Sequence, residues 1–567
     1  MSAFKRVPER WVVAIVCLLV ALVSAPFLLN LAGDAKVHLA FAENFARGMP
    51  FQFNAGGETV VASTSPFWTI LLVLFFKITG TWTPLLLTVA VLLIWLISAY
   101  LLYHSATELW NFPKVAIWSL LLLWLLHTTI VANALGGLEN VLSALQLLML
   151  YTLTARYRDG LTVRRALLLG LLTGWALLTR PDGGMFALIL VALYFLALWP
   201  TIRRRPVIFA GHLAVIVSTA FLVLLPWYAY QYNEIGQLVS DSTTARLYSG
   251  RQGSLVLIPS LLYLHPKVLV SLVTAFLPLV VGYLITGTRL ARCLTHSPGA
   301  RLQLYREEYP RYAAVLLVIT GLLFYTLVVG AEAFGRYFLP LFPFMFLAGV
   351  DGWVRLFRWM AVRYRRQTAV TVVLLAAMFM ILTSVVDFYR RLGPGSYSSD
   401  HLLSVIYGPA NGRYFSVNLP AVLTAPQHRS ASTTELLAHL GATDDEELSI
   451  AVTEVQLRYF VDNRIEIISL DGRSSSRLLD YIEPVTGVPD FERYFLDIRP
   501  DYVHSNQWCE VGGWMSAFST MAIRDNLVCR WEKQAARMEP GDSFRWQGCR
   551  VTLASPEILR IEWCEDD

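Results

Sequence analysis

The chain has 567 residues, of which 56% are hydrophobic and only 15% charged, with a mean hydropathy of +0.52. A soluble domain carries about 25% charged residues, so this composition excludes a purely soluble protein and implies an integral membrane protein with soluble mass attached. The net charge of +5 and pI near 8.8 come from arginines spaced between apolar runs, a membrane-loop pattern that argues against a nucleic-acid partner.

Lys5, Arg6 and Arg10 precede an apolar run at about 11–31. It exceeds the core of a signal peptide and reads as an uncleaved transmembrane helix with its N-terminus inside. The first gathering of polar side chains follows at once, over 33–68. A helix starting after Gly33 puts Asp34, His38, Phe41 and Phe45 on one face. The carboxylate and imidazole then sit above an aromatic strip, as in a helix lying on a membrane surface. Asp34 has two readings there, helix N-cap and catalytic carboxylate.

Further apolar runs fall near 84–103, 113–132, 139–155, 164–179, 183–199, 207–227, 267–287, 311–330, 337–354 and 368–386. The loops with Arg156, Arg158, Arg164 and Arg165, with Arg203, Arg204 and Arg205, with Arg289, Arg292, Arg301 and Arg306, and with Arg355, Arg358, Arg363, Arg365 and Arg366 are cytoplasmic by the positive-inside rule. The run at 67–79 has about a dozen residues, contains Lys77 and follows a proline, so it reads as an interfacial or re-entrant segment on the outer face. The first external loop then covers 32–83. About eleven spans result, with the N-terminus cytoplasmic and the C-terminus outside.

A second external loop, 228–267, holds Glu234, Asp241, Arg246 and Arg251. After Asp387 charges return and apolar runs shorten, with GPGSYSSD (393–400) as a linker. Leu448–Val452 and 465–470 read as buried strands, and 477–482 as helical. The expected fold is thus an α-helical polytopic membrane domain, 1–387, and an external α/β soluble domain, 388–567. Cys17 and Cys293 stand apart, while Cys509, Cys529, Cys549 and Cys564 crowd the end and predict at least one disulfide in an oxidising compartment.

On this topology the ionisable residues at external helix ends form one set. They are Asp34 and His38, Glu139 in GGLEN, Arg180 and Asp182 in LLTRPDGG, and Glu332 and Arg336 in GAEAFGRYFLPL. Each alone can simply mark the interface or snorkel. A groove with both signs, taken together, suits a substrate with an anionic headgroup and a hydroxyl to deprotonate.

These elements carry a resemblance. GDA (33–35), FARG (45–48), FNAGGE (53–58), TSPFW (64–68), Gly137-Leu138-Glu139, Thr179-Arg180-Pro181-Asp182 and the stretch from Arg336 to Pro343 resemble, in order and spacing, the GT-C superfamily of polyprenyl-phosphate-dependent glycosyltransferases. Within it they are most similar to bacterial terminal arabinofuranosyltransferases. The likeness covers about 10–390. It implies a multi-pass protein of the bacterial inner membrane that transfers a sugar, with arabinofuranose as the candidate, from a polyprenyl-phosphate donor to a glycan, lipid or protein acceptor on the periplasmic face. It implies Asp34 as general base, and His38, Glu58, Glu139, Arg180, Asp182 and Arg336 as substrate-binding residues. Arg180 and Arg336 would meet the lipid phosphate, His38 would orient Asp34 or bind the acceptor, and Asp182 would hold a sugar hydroxyl or Arg180. The family's paired acids would bind a divalent cation, Mg2+ or Mn2+. Gly33 replaces the first of them here, so the base role falls on Asp34 alone. The rival class is a lipid or lipid-linked-sugar transporter, but broken helices at the midplane and repeated halves are not evident. A scaffold with an external binding domain leaves the polar set without a purpose.

The topology predicts that, with native thiols removed, cysteines placed at Thr81 and Glu58 are both labelled from outside. Labelling of Thr81 only after permeabilisation would make 67–79 a span and break the eleven-helix count.

Overall fold

The computed structural model describes residues 33–61, 63–80, 84–158, 160–239, 279–288, 290–291, 298–325, 336–363, 429–443, 446–452, 461–470, 477–481, 490–504, 527–555 and 558–564. The predicted spans at 11–31 and 368–386, the 393–400 linker, most of the 228–267 loop, Glu332, Cys17, Cys293 and Cys509 lie outside them. So do the side chains of Asp34 and Arg336, although both residues belong to described helices.

The first helix, α1 (Gly33–Ala46), runs into a hairpin. Gln52 bridges Thr59 in antiparallel fashion and the Val60 N–H bonds the Phe51 carbonyl at 2.6 Å. The Asn44 amide ties this hairpin to α1 by donating to the carbonyls of Gln52 and Phe53. Next comes α2 (Pro66–Thr79), begun by a proline whose φ suits a first turn. It ends at Gly80, in the left-handed region at φ +70°, whose N–H bonds the Phe76 carbonyl. Fourteen residues make a helix of about 21 Å, short of the ~30 Å hydrocarbon core.

The aromatic strip of α1 does not face lipid, contrary to the expectation from its periodicity. Phe41 is 1% exposed. Phe45 stacks on Trp227 with centroids 6.2 Å apart, and Phe51 meets the same ring at 5.5 Å. The strip therefore packs on the end of the helix Pro206–Ile235, which carries Trp227.

The bundle continues with α3 (Pro84–His104), α4 (Lys114–Leu126), α5 (Thr128–Leu135), α6 (Asn140–Arg156), α7 (Val163–Thr179), α8 (Pro181–Ala197), α9 (Trp199–Arg204) and α10 (Pro206–Ile235). After these come α11 (Leu279–Thr288), α12 (Pro298–Glu307), α13 (Tyr309–Phe324), a 3-10 turn at Arg336–Leu341 and α14 (Phe342–Arg363). The run expected near 113–132 as one span is broken at His127. Its backbone is extended (φ −68°, ψ 122°), and its buried ring packs on Phe342 and Phe346. By length and composition, three helices among the described residues can cross a membrane: Val89–Leu109, Pro206–Ile235 and Tyr337–Arg363. They differ in setting. The last has 83% of its most apolar window buried, whereas Pro206–Ile235 has 22% and turns Val207, Val217, Phe221 and Leu222 outward. Buried on nearly every side, α6 forms the centre of the bundle.

The C-terminal part holds a six-stranded sheet of order β2-β1-β3-β6-β5-β4. Its strands are β1 (Leu448–Val452), β2 (Ile465–Ser469), β3 (Tyr502–His504), β4 (Ser543–Trp546), β5 (Cys549–Ser555) and β6 (Ile558–Glu562). β1 pairs in parallel with β2 and β3, and the other pairs are antiparallel. The two strands read from sequence are present, and the helical stretch is a 3-10 turn at Arg477–Tyr481. Helices α15 (Arg429–His439), α16 (Phe491–Ile498) and α17 (Leu527–Ala535) cover the sheet. Cys549 and Cys564 form a disulfide and Cys529 is disulfide-bonded as well. At a separation of 15 residues, closure of such a loop is worth about 3 kcal/mol.

One sheet face shares a core with the hairpin, where Ile450, Val452, Ile465 and Ile467 meet Phe51, Phe53, Val60 and Val61. The hairpin tip also completes an edge. β2 is an outer strand, and such a strand presents backbone groups with no ladder partner. The Asn54 amide supplies both, donating to the Ile467 carbonyl at 2.9 Å and accepting from its N–H at 3.1 Å. We expect Asn54→Leu to cost about 1–3 kcal/mol, two hydrogen bonds' worth, and Asn54→Asp, which keeps only the acceptor, to cost less. Thermal unfolding of the purified protein measures this; equal melting of all three would show that the dock carries no energy.

Candidate active site

Arg180 lies at a junction that its neighbours dictate. Pro181 forbids the helical conformation at the residue before it, and Arg180 is extended (φ −157°, ψ 135°), closing α7 and opening α8. Its side chain is thereby thrown across to the start of α6. There Gly137, at φ +76°, makes a turn that a side chain would resist, and Glu139 takes the N-cap position of α6 without a side-chain cap hydrogen bond. Gly183 allows the close approach of α8 to α6, because a Cβ in its place would lie 2.5 Å from the Ser143 hydroxyl.

The guanidinium is gripped on both sides. Nη1 donates to Glu139 Oε1 at 2.6 Å and to the Asn140 side-chain oxygen. Nε and Nη2 make a two-pronged pair with Asp182 at 2.9 and 3.0 Å. Asp182 also accepts from the Gly183 N–H at 2.9 Å and from the Tyr325 hydroxyl, at the end of α13, at 2.7 Å. Tyr337 covers Arg180 with its ring, 5.4 Å from the guanidinium carbon. Arg180 and Glu139 are 7% and 4% exposed. A charge buried this deeply is tolerated only with such partners.

His38 reaches the same acid from α1, with Nε2 3.8 Å from Glu139 Oε2. Its Nδ1 lies 3.3 Å from the Ser63 hydroxyl, which in turn meets the Ser65 N–H at 3.1 Å and the Thr69 hydroxyl at 2.8 Å. Four of the sequence-derived site residues, His38, Glu139, Arg180 and Asp182, thus form one chain of contacts. Asp34 stands one helical turn before His38 on α1, and Arg336 opens the 3-10 turn just before Tyr337. Glu58 belongs to the hairpin, half-buried. Asn140, Tyr325, Tyr337, Ser63 and Thr69 were not singled out by sequence, where an uncharged polar side chain in an apolar or turn segment gives no signal.

Arg180, expected to meet a lipid phosphate, directs Nε, both N–H groups of Nη1 and one of the two on Nη2 to Glu139, Asn140 and Asp182. Of the two roles held open for Asp182, it is seen holding Arg180. Among the described residues no group of three His, Cys, Asp or Glu is placed to hold a metal ion, and both acids of the cluster are committed to a guanidinium.

A second buried cluster occupies the far end of α13. Asp351, 3% exposed within α14, accepts from Arg355 at 2.6 Å, Arg311 at 3.4 Å and Thr286 at 3.2 Å, and Arg311 also pairs with Glu308 at 2.9 Å. Asp351 thus sets a buried carboxylate inside the apolar run at 337–354.

The sequence matches no family model and no curated protein. Among solved structures it is similar to ArnT from Cupriavidus metallidurans bound to undecaprenyl phosphate, at 15% identity and TM-score 0.48, over 86% of this chain and 91% of that one. It is also similar to the archaeal oligosaccharyltransferase AglB from Archaeoglobus fulgidus in complex with an inhibitory peptide and a dolichol-phosphate, at 13% identity and TM-score 0.46, over 87% of this chain and 69% of that one. With both scores below one half, the chemistry rests on this chain's own residues.

Removing the Arg180 cation strands the buried Glu139 carboxylate and the partly buried Asp182. Arg180→Ala should cost about 3–5 kcal/mol, and Arg180→Lys should recover little, because an ammonium cannot reproduce the fork. Thermal unfolding in detergent tests both; a loss below about 1 kcal/mol for Arg180→Ala would show that the cluster does not hold the junction.

Proposed function

We propose that the chain is a membrane glycosyltransferase moving a sugar, arabinofuranose being the candidate, from a polyprenyl-phosphate donor to a hydroxyl of a cell-envelope glycan or other acceptor. The observation that carries this reading is the convergence of His38, Glu139, Arg180 and Asp182 from α1, α6 and the α7–α8 junction at one end of an apolar bundle. The Asp34 turn and Arg336 adjoin it in the chain. Acids, an imidazole and guanidiniums beside long apolar helices suit a substrate with a lipid tail, an anionic link and a hydroxyl partner.

In this mechanism the acceptor hydroxyl gives its proton to Asp34 as its oxygen bonds to the anomeric carbon. The bond from that carbon to the phosphate oxygen breaks, and the lipid phosphate leaves with the electron pair. A single displacement inverts the anomeric centre. Arg336 stabilises the developing phosphate charge, while Arg180 holds Glu139 and Asp182 in place. Glu58 lies on the hairpin as an acceptor contact. The described residues offer no group of ligands that fits the Mg2+ or Mn2+ ion implied by the resemblance, and no step of this mechanism runs through a metal. The proposed location is the bacterial inner membrane, with the sheet region outside.

Asp34→Asn separates base from cap. Asn caps a helix about as well as Asp but accepts no proton, so turnover of a polyprenyl-phosphate sugar should fall roughly 10²–10⁴-fold with donor affinity kept. Arg336→Ala should weaken donor binding as well as rate. Near-normal turnover in folded Asp34→Asn would return Asp34 to the cap role and remove the base from this mechanism.

A further inference from the structure

The hydroxyl of Ser63 has one proton and two lone pairs, and its surroundings account for all three. The Ser65 N–H points to its oxygen at 3.1 Å and the Thr69 hydroxyl at 2.8 Å, which fills both lone pairs. Thr69 has a second acceptor in the Ser65 carbonyl at 3.2 Å, but the shorter contact is to Ser63. With Thr69 donating to Ser63, the remaining Ser63 proton has one partner in reach among the described residues, His38 Nδ1 at 3.3 Å. That nitrogen is therefore an acceptor, and the ring proton of neutral His38 sits on Nε2. The other side of the ring agrees. Nε2 faces Glu139 Oε2 at 3.8 Å, where a lone pair would meet a carboxylate and be repelled, while an N–H is attracted. Among the described residues the charged group this edge of the ring meets is Glu139 at the start of α6, itself paired with Arg180 at the α7–α8 junction. His38, Ser63 and Thr69 are 8%, 2% and 0% exposed, so water does not compete freely for these roles.

We infer that Ser63, itself held by Thr69 and the Ser65 N–H, is a positioning residue that fixes His38 as the Nε2–H tautomer, so that His38 serves the site as a hydrogen-bond donor to a hydroxyl or carboxylate oxygen and not as a second base. The location of the proton is independent of the transferase reading; only the identity of the oxygen served rests on it.

Nitrogen-15 NMR of the full-length, histidine-labelled protein in lipid nanodiscs reads the tautomer directly. The chain has 10 histidines, and His38→Gln identifies the ring signals in question. The expected wild-type result is a protonated Nε2 and a bare Nδ1, in a ratio of at least roughly 5:1 for one hydrogen bond's worth of bias. Ser63→Ala should lower that ratio, with Glu139 still favouring a proton on Nε2. Thr69→Val, which frees a lone pair on Ser63 and spares the His38 contact itself, should bring it towards parity and keeps the test open if Ser63→Ala fails to fold. A wild-type ring protonated on Nδ1, or ring signals unchanged in the folded variants, would overturn the inference. A dominant Nε2–H in a protein that transfers no polyprenyl-phosphate sugar would support the inference and overturn only the transferase reading.

Discussion

The guanidinium of Arg180 is the point at which the bundle's polar end is tied. The start of α6, the break between α7 and α8 and the turn before α14 meet this one planar group, and the end of α13 joins them through Asp182. The arrangement follows from short-range constraints. A proline sets the backbone before it, a positive-φ glycine aims Glu139, and a second glycine lets α8 close on α6. Desolvating these charges offsets much of their attraction, so the cluster contributes less to net stability than to a unique register. An apolar substitute would pack as well, but it would not specify which helix ends belong together.

Much of this was legible in the sequence because charges are rare in apolar surroundings. Glu139, Arg180 and Asp182 stand out for that reason, and strands β1 and β2 stand out by their short β-branched runs. What failed was context. The α1 aromatics have the right period, yet periodicity cannot tell a protein neighbour from lipid, since both are apolar. The break at His127 was hidden inside a run that is hydrophobic on both sides of it. Tyr325 and Asn140 complete the cluster from positions where composition gives no cue, and their roles exist only once α13 and α6 are neighbours.

The segment from α1 to α2 links the sheet to the buried cluster. Asn54 grips the β2 edge, Asn44 holds the hairpin on α1, and Ser63 meets His38. Each contact is made by an uncharged side chain that satisfies backbone or ring atoms in pairs. Displacement of the sheet edge would therefore pull on the same backbone that places His38. The packing of Phe45 and Phe51 on Trp227 resists that motion from the α10 side.

The two buried clusters at opposite ends of α13 differ in charge, and the difference bears on what each does. At one end Arg311 and Arg355 balance Glu308 and Asp351, one cation for each acid. At the other, Arg180 faces both Glu139 and Asp182, so the pairs seen there carry one acid more than they carry guanidiniums. A surplus negative charge in a poorly solvated setting attracts donors, and donors are what surround it: the Tyr325 hydroxyl and the Gly183 N–H at Asp182, and on the inferred tautomer the imidazole N–H at Glu139. Arg336, one residue before the ring that covers Arg180, is the basic residue that the chain brings next to this end. An end whose visible pairs hold more acids than guanidiniums is one where a bound hydroxyl, an incoming guanidinium or a cation changes the energy more than it does where the visible pairs balance.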